Sequence, residues 1–283
     1  MAGASMKDIK LRIKSVESTM QITKAMELVA SSKLRGAKLR VERSRPYFEV
    51  LHQTLADIAY SKQDFDSPYI HQRTVKRSCY VVIAGDRGLA GGYNANLFKA
   101  ATAHMKDKNA CVLPLGKKAV EYYERRGVDL LSKDFAEVAE VNISSCFEMA
   151  KLLSAAFLKG EFDELFLVYT NFVSMLTQSP AVLQMLPFNY DRGADKEATR
   201  KLRLYEPSAE EIYDAIVPEY LAGLIWGAVS ESVASELGAR RTAMDAASKN
   251  AGEMIDDLSL RYNRARQGAI TQEITEIVAG AEQ

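Results

Sequence analysis

Apolar side chains recur near the start of the chain at Ile9, Ile13, Val16 and Met20, and again at Met26, Ala30, Leu34, Ala37 and Val41. Steps of three and four trace one face of a helix, and between Ala4 and Arg45 there is no proline and a single glycine, Gly36. The spacing predicts a long helix that Pro46 kinks or restarts, with Leu51, Leu55 and Ile58 carrying the period from Tyr47 to Tyr60. At the other end, Ser208 followed by Glu211 has the form of a capping box, in which the two side chains satisfy amide donors left free at a helix start. No proline follows Pro218, and Met244, Ala247, Ala251, Met254, Leu258, Tyr262, Ala265 and Ala269 form a second stripe that Ile270, Ile274 and Ile277 carry towards the terminus. About sixty helical residues at ~1.5 Å each would reach roughly 90 Å. A stripe that long needs another helix to cover it. An antiparallel coiled coil of the two chain ends, with the intervening segment attached at one end, meets that need. Two ordinary bundle helices or a dimerising coil would satisfy the same pattern.

The middle of the chain changes period. Cys79 to Ala84, Ala110 to Leu115 and Leu165 to Tyr169 are short, continuously apolar runs, as in strands buried on both faces. Helical stretches at Asn94 to Lys106, Lys117 to Arg126 and Ser144 to Leu158 separate them, which predicts a small, mostly parallel sheet covered by helices. Met175 to Leu186 alternates like an antiparallel hairpin or edge strand, and Asp191-Arg192-Gly193 marks a turn towards the last helix. The expected fold is therefore mixed, α+β or α/β, with segment boundaries at 1–75 for the first helical region, 76–205 for the α/β domain and 206–283 for the last helix.

Composition adds little until it is divided. The 283 residues are 47% apolar and carry 37 basic and 37 acidic side chains, a balance that excludes a surface built as a whole for nucleic acid or anionic lipid. Residues 1–45 nonetheless hold eleven bases and four acids, a net of +7, while residues 206–283 hold six bases and fourteen acids, a net of −8. The two helical ends are electrostatic complements. No uninterrupted apolar run approaches the ~20 residues that span a bilayer, and Lys7, Asp8 and Lys10 stand where a signal peptide would be apolar, so a soluble, unexported chain is expected. Cys79, Cys111 and Cys146 are odd in number and widely spaced, which suggests neither a disulfide framework nor a zinc site and makes a reducing compartment the default.

Candidate chemistry is sparse. His52, His71 and His104 stand in unrelated contexts without metal-ligand spacing, as surface or packing histidines do. Gly85-Asp86-Arg87-Gly88-Leu89-Ala90-Gly91-Gly92 follows a strand and precedes a helix, where an α/β fold can cradle phosphate. It lacks both the GK[ST] of a P-loop and GxGxxG spacing, so its glycines point to tight backbone geometry or a protein contact.

Three segments go further. Gln21 to Arg35 (QITKAMELVASSKLR), Tyr262 to Ala281 (YNRARQGAITQEITEIVAGA) and Asp86 to Gly92 (DRGLAGG) resemble, in order and across the whole chain, the hallmark segments of the γ-subunit family of F-type ATP synthases. That resemblance implies a rotor shaft: an antiparallel coiled coil inside a ring of three α and three β subunits, with a Rossmann-like domain near its foot beside ε and the membrane c-ring. It implies that catalysis occurs on β, that this chain is not catalytic by itself, and that it has no cofactor or metal of its own. Lys24, Met26, Arg266, Gln267 and Thr271 match positions that meet β. Asp86, Arg87 and Ala90 match a loop near the lower rim of β, and Tyr205 and Glu206, with Leu204 and the segment Arg35 to Arg45, match the foot near ε and the c-ring. Ile274, Ile277 and Val278 would sit in an apolar sleeve. The resemblance also implies peripheral association with the cytoplasmic face of the cell membrane through Fo, no nucleic-acid partner, and no thiol control, because the middle segment lacks the cysteine-bearing insertion of chloroplast-type relatives. An enzyme binding nucleotide at Gly85 to Gly92, or a coiled-coil adaptor using the basic amino-terminal helix, are the rival readings.

Overall fold

A computed structural model describes residues 6–59, 65–188 and 205–281. Tyr60, the turn expected at Asp191 to Gly193, and Leu204 lie outside them. The order is α1 (Met6–Ala59), β1 (Ser78–Ile83), α2 (Tyr93–Met105), β2 (Ala110–Leu115), α3 (Lys117–Glu124), β3 (Asp129–Leu130), α4 (Ile143–Leu158), β4 (Glu164–Phe172), β5 (Gln178–Leu186) and α5 (Ala209–Ala281). The chain forms two compact units, Met1–Ser32 with Arg240–Gln283, and Lys33–Ala239.

In the first unit, α1 and α5 pair. Thr23 faces Ser248 and Glu27 faces Arg241, so one sequence rises as the other falls and the helices are antiparallel. Ile9 and Ala30 are buried and Ile13, Val16, Met20 and Met26 half-buried, as the stripe on α1 predicts. The stripe on α5 needs one correction: Met254 is 44% exposed, and the half-buried Ile255 takes its place between Ala251 and Leu258. The seam also contains a polar rung. The Thr23 hydroxyl donates to the Met20 carbonyl (3.0 Å), which leaves its oxygen to accept from the Ser248 hydroxyl (2.7 Å).

The second unit is a five-stranded sheet in the order β3-β2-β1-β4-β5. β1 pairs in parallel with β2 and β4, β2 in parallel with β3, and β5 runs antiparallel to β4 at the edge, as the alternation of Met175 to Leu186 predicts. β3 is a two-residue strand with too few side chains to leave a pattern. Its shortness makes room for Pro114. Leu131 donates its N–H to the Val112 carbonyl, so Pro114, two residues on, presents its missing donor to the side where β3 has already ended.

One face of the sheet packs with α2 and α3 around Tyr80, Val82, Leu97, Val112, Tyr123 and Val168. The other packs with α4, the second half of α1 and the first part of α5, through Leu55, Ile58, Leu113, Met149, Phe157, Tyr213, Leu221 and Ile225. Ser232 and Ser235 on α5 grip β4 directly, the Ser232 hydroxyl accepting from the Thr170 N–H and the Ser235 hydroxyl donating to the Thr170 carbonyl. α5 includes a stretch long and apolar enough by composition to cross a membrane, and half of it is buried inside the protein.

Two helix expectations change on inspection. α1 runs through Pro46 without a restart. A proline removes one ladder bond and crowds the preceding turn, but Leu34 and Ala37 before it and Leu55 and Ile58 after it are all buried and hold both sides in place. α5 likewise continues through Pro218. Its start keeps one arm of the predicted box: the Glu211 N–H donates to Ser208 Oγ (3.1 Å), while the Ser208 hydroxyl itself points to the Glu211 carboxylate at 3.4 Å.

Candidate functional site

The glycine loop after β1 is the most enzyme-like feature of the sequence, and its backbone is already engaged. Asp86 Oδ1 accepts from the Lys117 N–H (3.2 Å) and the Val138 N–H (3.0 Å), and Oδ2 from the Ala139 N–H (3.0 Å). Lys117 opens α3, so the Asp86 carboxylate caps the start of that helix and ties the loop to Val138 and Ala139. Asn94 closes the loop by accepting from the Gly85 N–H (2.9 Å). Gly116, just before α3, has φ +95°, and a Cβ there would stand 2.2 Å from the Ala84 carbonyl oxygen. Only glycine lets the two strand ends approach so closely. Ala90 is buried, whereas Arg87 and Leu89 are exposed at the loop's tip. A cavity of about 280 Å³ lies elsewhere in this unit, lined by residues including His52, Leu167, Tyr169 and Tyr220 and by none from the glycine loop.

The histidines each make a separate local contact. His52 Nδ1 lies 2.8 Å from the Tyr220 hydroxyl, His104 Nδ1 lies 3.0 Å from the Tyr80 hydroxyl, and His71 contacts Asp66. Among the described residues no three His, Cys, Asp or Glu side chains converge as metal ligands.

The helix pair holds the other candidates. Met26 is half-buried in the seam and Lys24 points outward, so the two do not share a face. Arg266, Gln267 and Thr271 are exposed near the end of α5. The Thr271 hydroxyl donates to the Gln267 carbonyl (2.9 Å), and the Thr275 hydroxyl to the Thr271 carbonyl (2.8 Å). Because Thr23 is opposite Ser248, Lys24 and Met26 stand roughly 35 Å along the helix from Thr271, at ~1.5 Å per residue. The structure therefore places these candidates in two separate regions of this unit. In the other unit, Tyr205 packs against the core and Glu206 is exposed at the approach to α5.

Charge is arranged differently from the segment totals. Lys10, Arg12, Lys14, Lys24, Lys33 and Arg35 all face outward. Across the seam, the 3.9 Å contact of Arg241 with Glu27 puts the acid on α1 and the base on α5. Lys249 and Arg261 pair along their own helix, with Asp245 and Asp257. The basic excess of the first helix thus forms an outward field available to another surface.

The end of α5 is the largest anomaly. Ile270, Ile274, Ile277 and Val278 are 47%, 57%, 71% and 54% exposed. Steps of four, three and one place them on a single stripe. Beside a run of exposed polar residues, such a stripe marks a surface completed by another chain. Fold and surface together define the class: an assembly subunit in which the first and last helices pair, with an α/β sheet encoded between them in sequence.

Comparison with known proteins narrows this class. The family described as ATP synthase matches residues 5–283. The ATP synthase gamma chain of Alkaliphilus metalliredigens is 47% identical over 286 residues, covering 99% of each chain, and that of Ruminococcus albus is 48% identical, covering 97% of this chain and 96% of its own. Among solved structures, a chain of the Euglena gracilis mitochondrial ATP synthase OSCP/F1/c-ring assembly superposes with a TM-score of 0.69 at 19% identity, over 98% of this chain and 93% of that one. The chain belongs to the ATP synthase gamma-chain family.

Proposed function

We propose that this chain is the central rotor subunit of an F1Fo ATP synthase, carrying torque between a membrane c-ring and the catalytic β subunits so that ion flow drives ATP synthesis, or hydrolysis drives ion pumping. The observation that carries the reading is the bare apolar stripe at the end of α5 in a member of this family. A stripe of four large side chains facing solvent fits an apolar bearing formed by other subunits. The partners are three α and three β subunits, ε and the c-ring, and the chain is peripheral, held at the cytoplasmic face of the cell membrane through Fo. It takes no cofactor and no catalytic role of its own. The loop after β1 lacks the GK[ST] and GxGxxG spacing of phosphate-binding loops, and its Asp86 is spent on the amides of Lys117, Val138 and Ala139, which supports this.

Within that role, Lys24, Met26, Arg266, Gln267 and Thr271 meet β, Asp86, Arg87 and Ala90 form a loop at its lower rim, and Tyr205 and Glu206 lie at the foot. Their placement refines these parts. Arg87 is the exposed contact group of its loop, while Asp86 and Ala90 hold the loop's shape. Lys24 presents its charge outward, and Met26 contributes from the edge of the seam.

Co-expression with α and β subunits tests the proposal. One copy of this chain should co-purify with three of each, and a one-to-one stoichiometry would overturn it. Met26→Lys should then lower the coupling of hydrolysis to ion transport in the assembled enzyme, read as ions moved per ATP.

A further inference from the structure

Cys79 and Cys111 are far apart in sequence, but the pairing of β1 with β2 sets them directly opposite each other. Residues in register on parallel neighbours point to the same face, and both thiols enter the core shared by the sheet, α4 and α5. Neighbouring strands stand about 4.8 Å apart, within the span of about 4.4–6.8 Å between Cα atoms that a disulfide bridges. Each thiol shifts the ionisation of the other. Burial, the largest influence, pushes the Cys79 thiol up. The neighbouring Cys79 is the largest influence on Cys111 and pulls that thiol down, and the Arg77 guanidinium favours the thiolate of both. Cys146 on α4 is an internal contrast: it is equally buried, and burial alone pushes its thiol up to about 12.

We propose that Cys79 and Cys111 are a closable dithiol, a modification site at which a peroxide joins β1 to β2 through a disulfide. The Cys111 thiolate attacks one peroxide oxygen; the O–O bond breaks, the departing hydroxide takes a proton and leaves as water, and Cys111 becomes a sulfenic acid. The Cys79 sulfur then attacks the Cys111 sulfur. The S–O bond breaks, the released hydroxide takes the Cys79 proton, and a second water leaves. Two thiols and one hydrogen peroxide give one disulfide and two waters, so the sulfurs are oxidised by the two electrons that the peroxide accepts. Cys79 and Cys111 are 0% and 1% exposed, so the reagent reaches them through local opening of the sheet, and closure is slow in the folded chain.

The test exposes the folded full chain to hydrogen peroxide, denatures it, labels remaining thiols with N-ethylmaleimide and maps peptides without reduction. The expected result is the loss of two labels per chain, a cross-linked peptide joining Cys79 to Cys111, one label kept on Cys146, and full relabelling after dithiothreitol. Closure should also raise the denaturant midpoint of the chain reversibly. Cys111→Ser should abolish the cross-link and keep two labels, and Cys146→Ser should leave the cross-link intact. Three labels surviving a day in peroxide overturn the proposal, as do a cross-link that includes Cys146 and a sulfinic acid formed without any cross-link.

Discussion

Two stretches of α5 carry the same kind of stripe and meet opposite fates. Tyr213, Val217, Leu221, Ile225 and Val229 are buried almost completely against the sheet and α1, whereas Ile270, Ile274, Ile277 and Val278 on the same helix are about half exposed or more. Both sets recur at helical steps along one face of the helix. Periodicity says that a face will be covered, and only the fold says whether the chain covers it or leaves it to a partner.

The contrast is sharpest in a pair of truncations. Leu221→Ala should cost about 2–5 kcal/mol, because removing a fully buried side chain loses its transfer energy and leaves a cavity. Denaturant unfolding followed by the fluorescence of Trp226, the single tryptophan, reads this loss. A cost below about 1 kcal/mol would break the assignment of this stretch to the core. Ile274→Ala should change the stability of the isolated chain by no more than ~0.5 kcal/mol, yet weaken association with the α and β subunits by about 1–2 kcal/mol, roughly tenfold, if the stripe is a partner surface. Unchanged association would leave the exposed stripe without the role proposed for it.

The seam between these extremes offers a smaller effect. Thr23→Val should cost about 1 kcal/mol by leaving Ser248 without its seam partner, and adding Ser248→Ala should recover much of that. Additive losses in this cycle would show that the hydroxyls do not act together.

The smallest expected effect depends on pH. The His104 imidazole lies below its ordinary value of 6.5, first because of burial and then because of Lys108. The unfolded chain therefore takes up this proton first as pH falls. The stability linked to His104 is present above about pH 6.5 and is lost as pH drops towards the lower folded value. Unfolding midpoints measured between pH 5 and 8 should fall less steeply for His104→Gln, and an unchanged slope would remove His104 as the cause.

Much of this fold was legible because its elements have clear periods. The strands at Cys79, Ala110 and Leu165 and the helices between them are continuous or periodic apolar runs, and β5 showed its edge position by alternation. Polar seam groups were illegible for the same reason. Thr23, Ser248, Ser232 and Ser235 interrupt an apolar count, and their value depends on partners dozens or hundreds of residues away. Pro46 reads in isolation as a kink or restart of the helix, and α1 runs through it without a restart because packing on both sides holds the chain. At the glycine loop the composition pointed to a tight turn, but nothing in the spacing showed that Asp86 would accept from amides at Lys117, Val138 and Ala139.

The sequence alone determined that the chain's ends are helical, that its middle is a mostly parallel sheet, and that its neutral charge is the sum of a basic and an acidic end. It did so because helix and strand periods and charge runs are local properties of the chain. Tertiary structure decided what those features face: the basic side chains of α1 turn outward, Asp86 caps α3, two distant cysteines become neighbours, and the last stripe of α5 stays bare. These outcomes depend on which segments meet, and the pairing of residues far apart in sequence leaves no period to read.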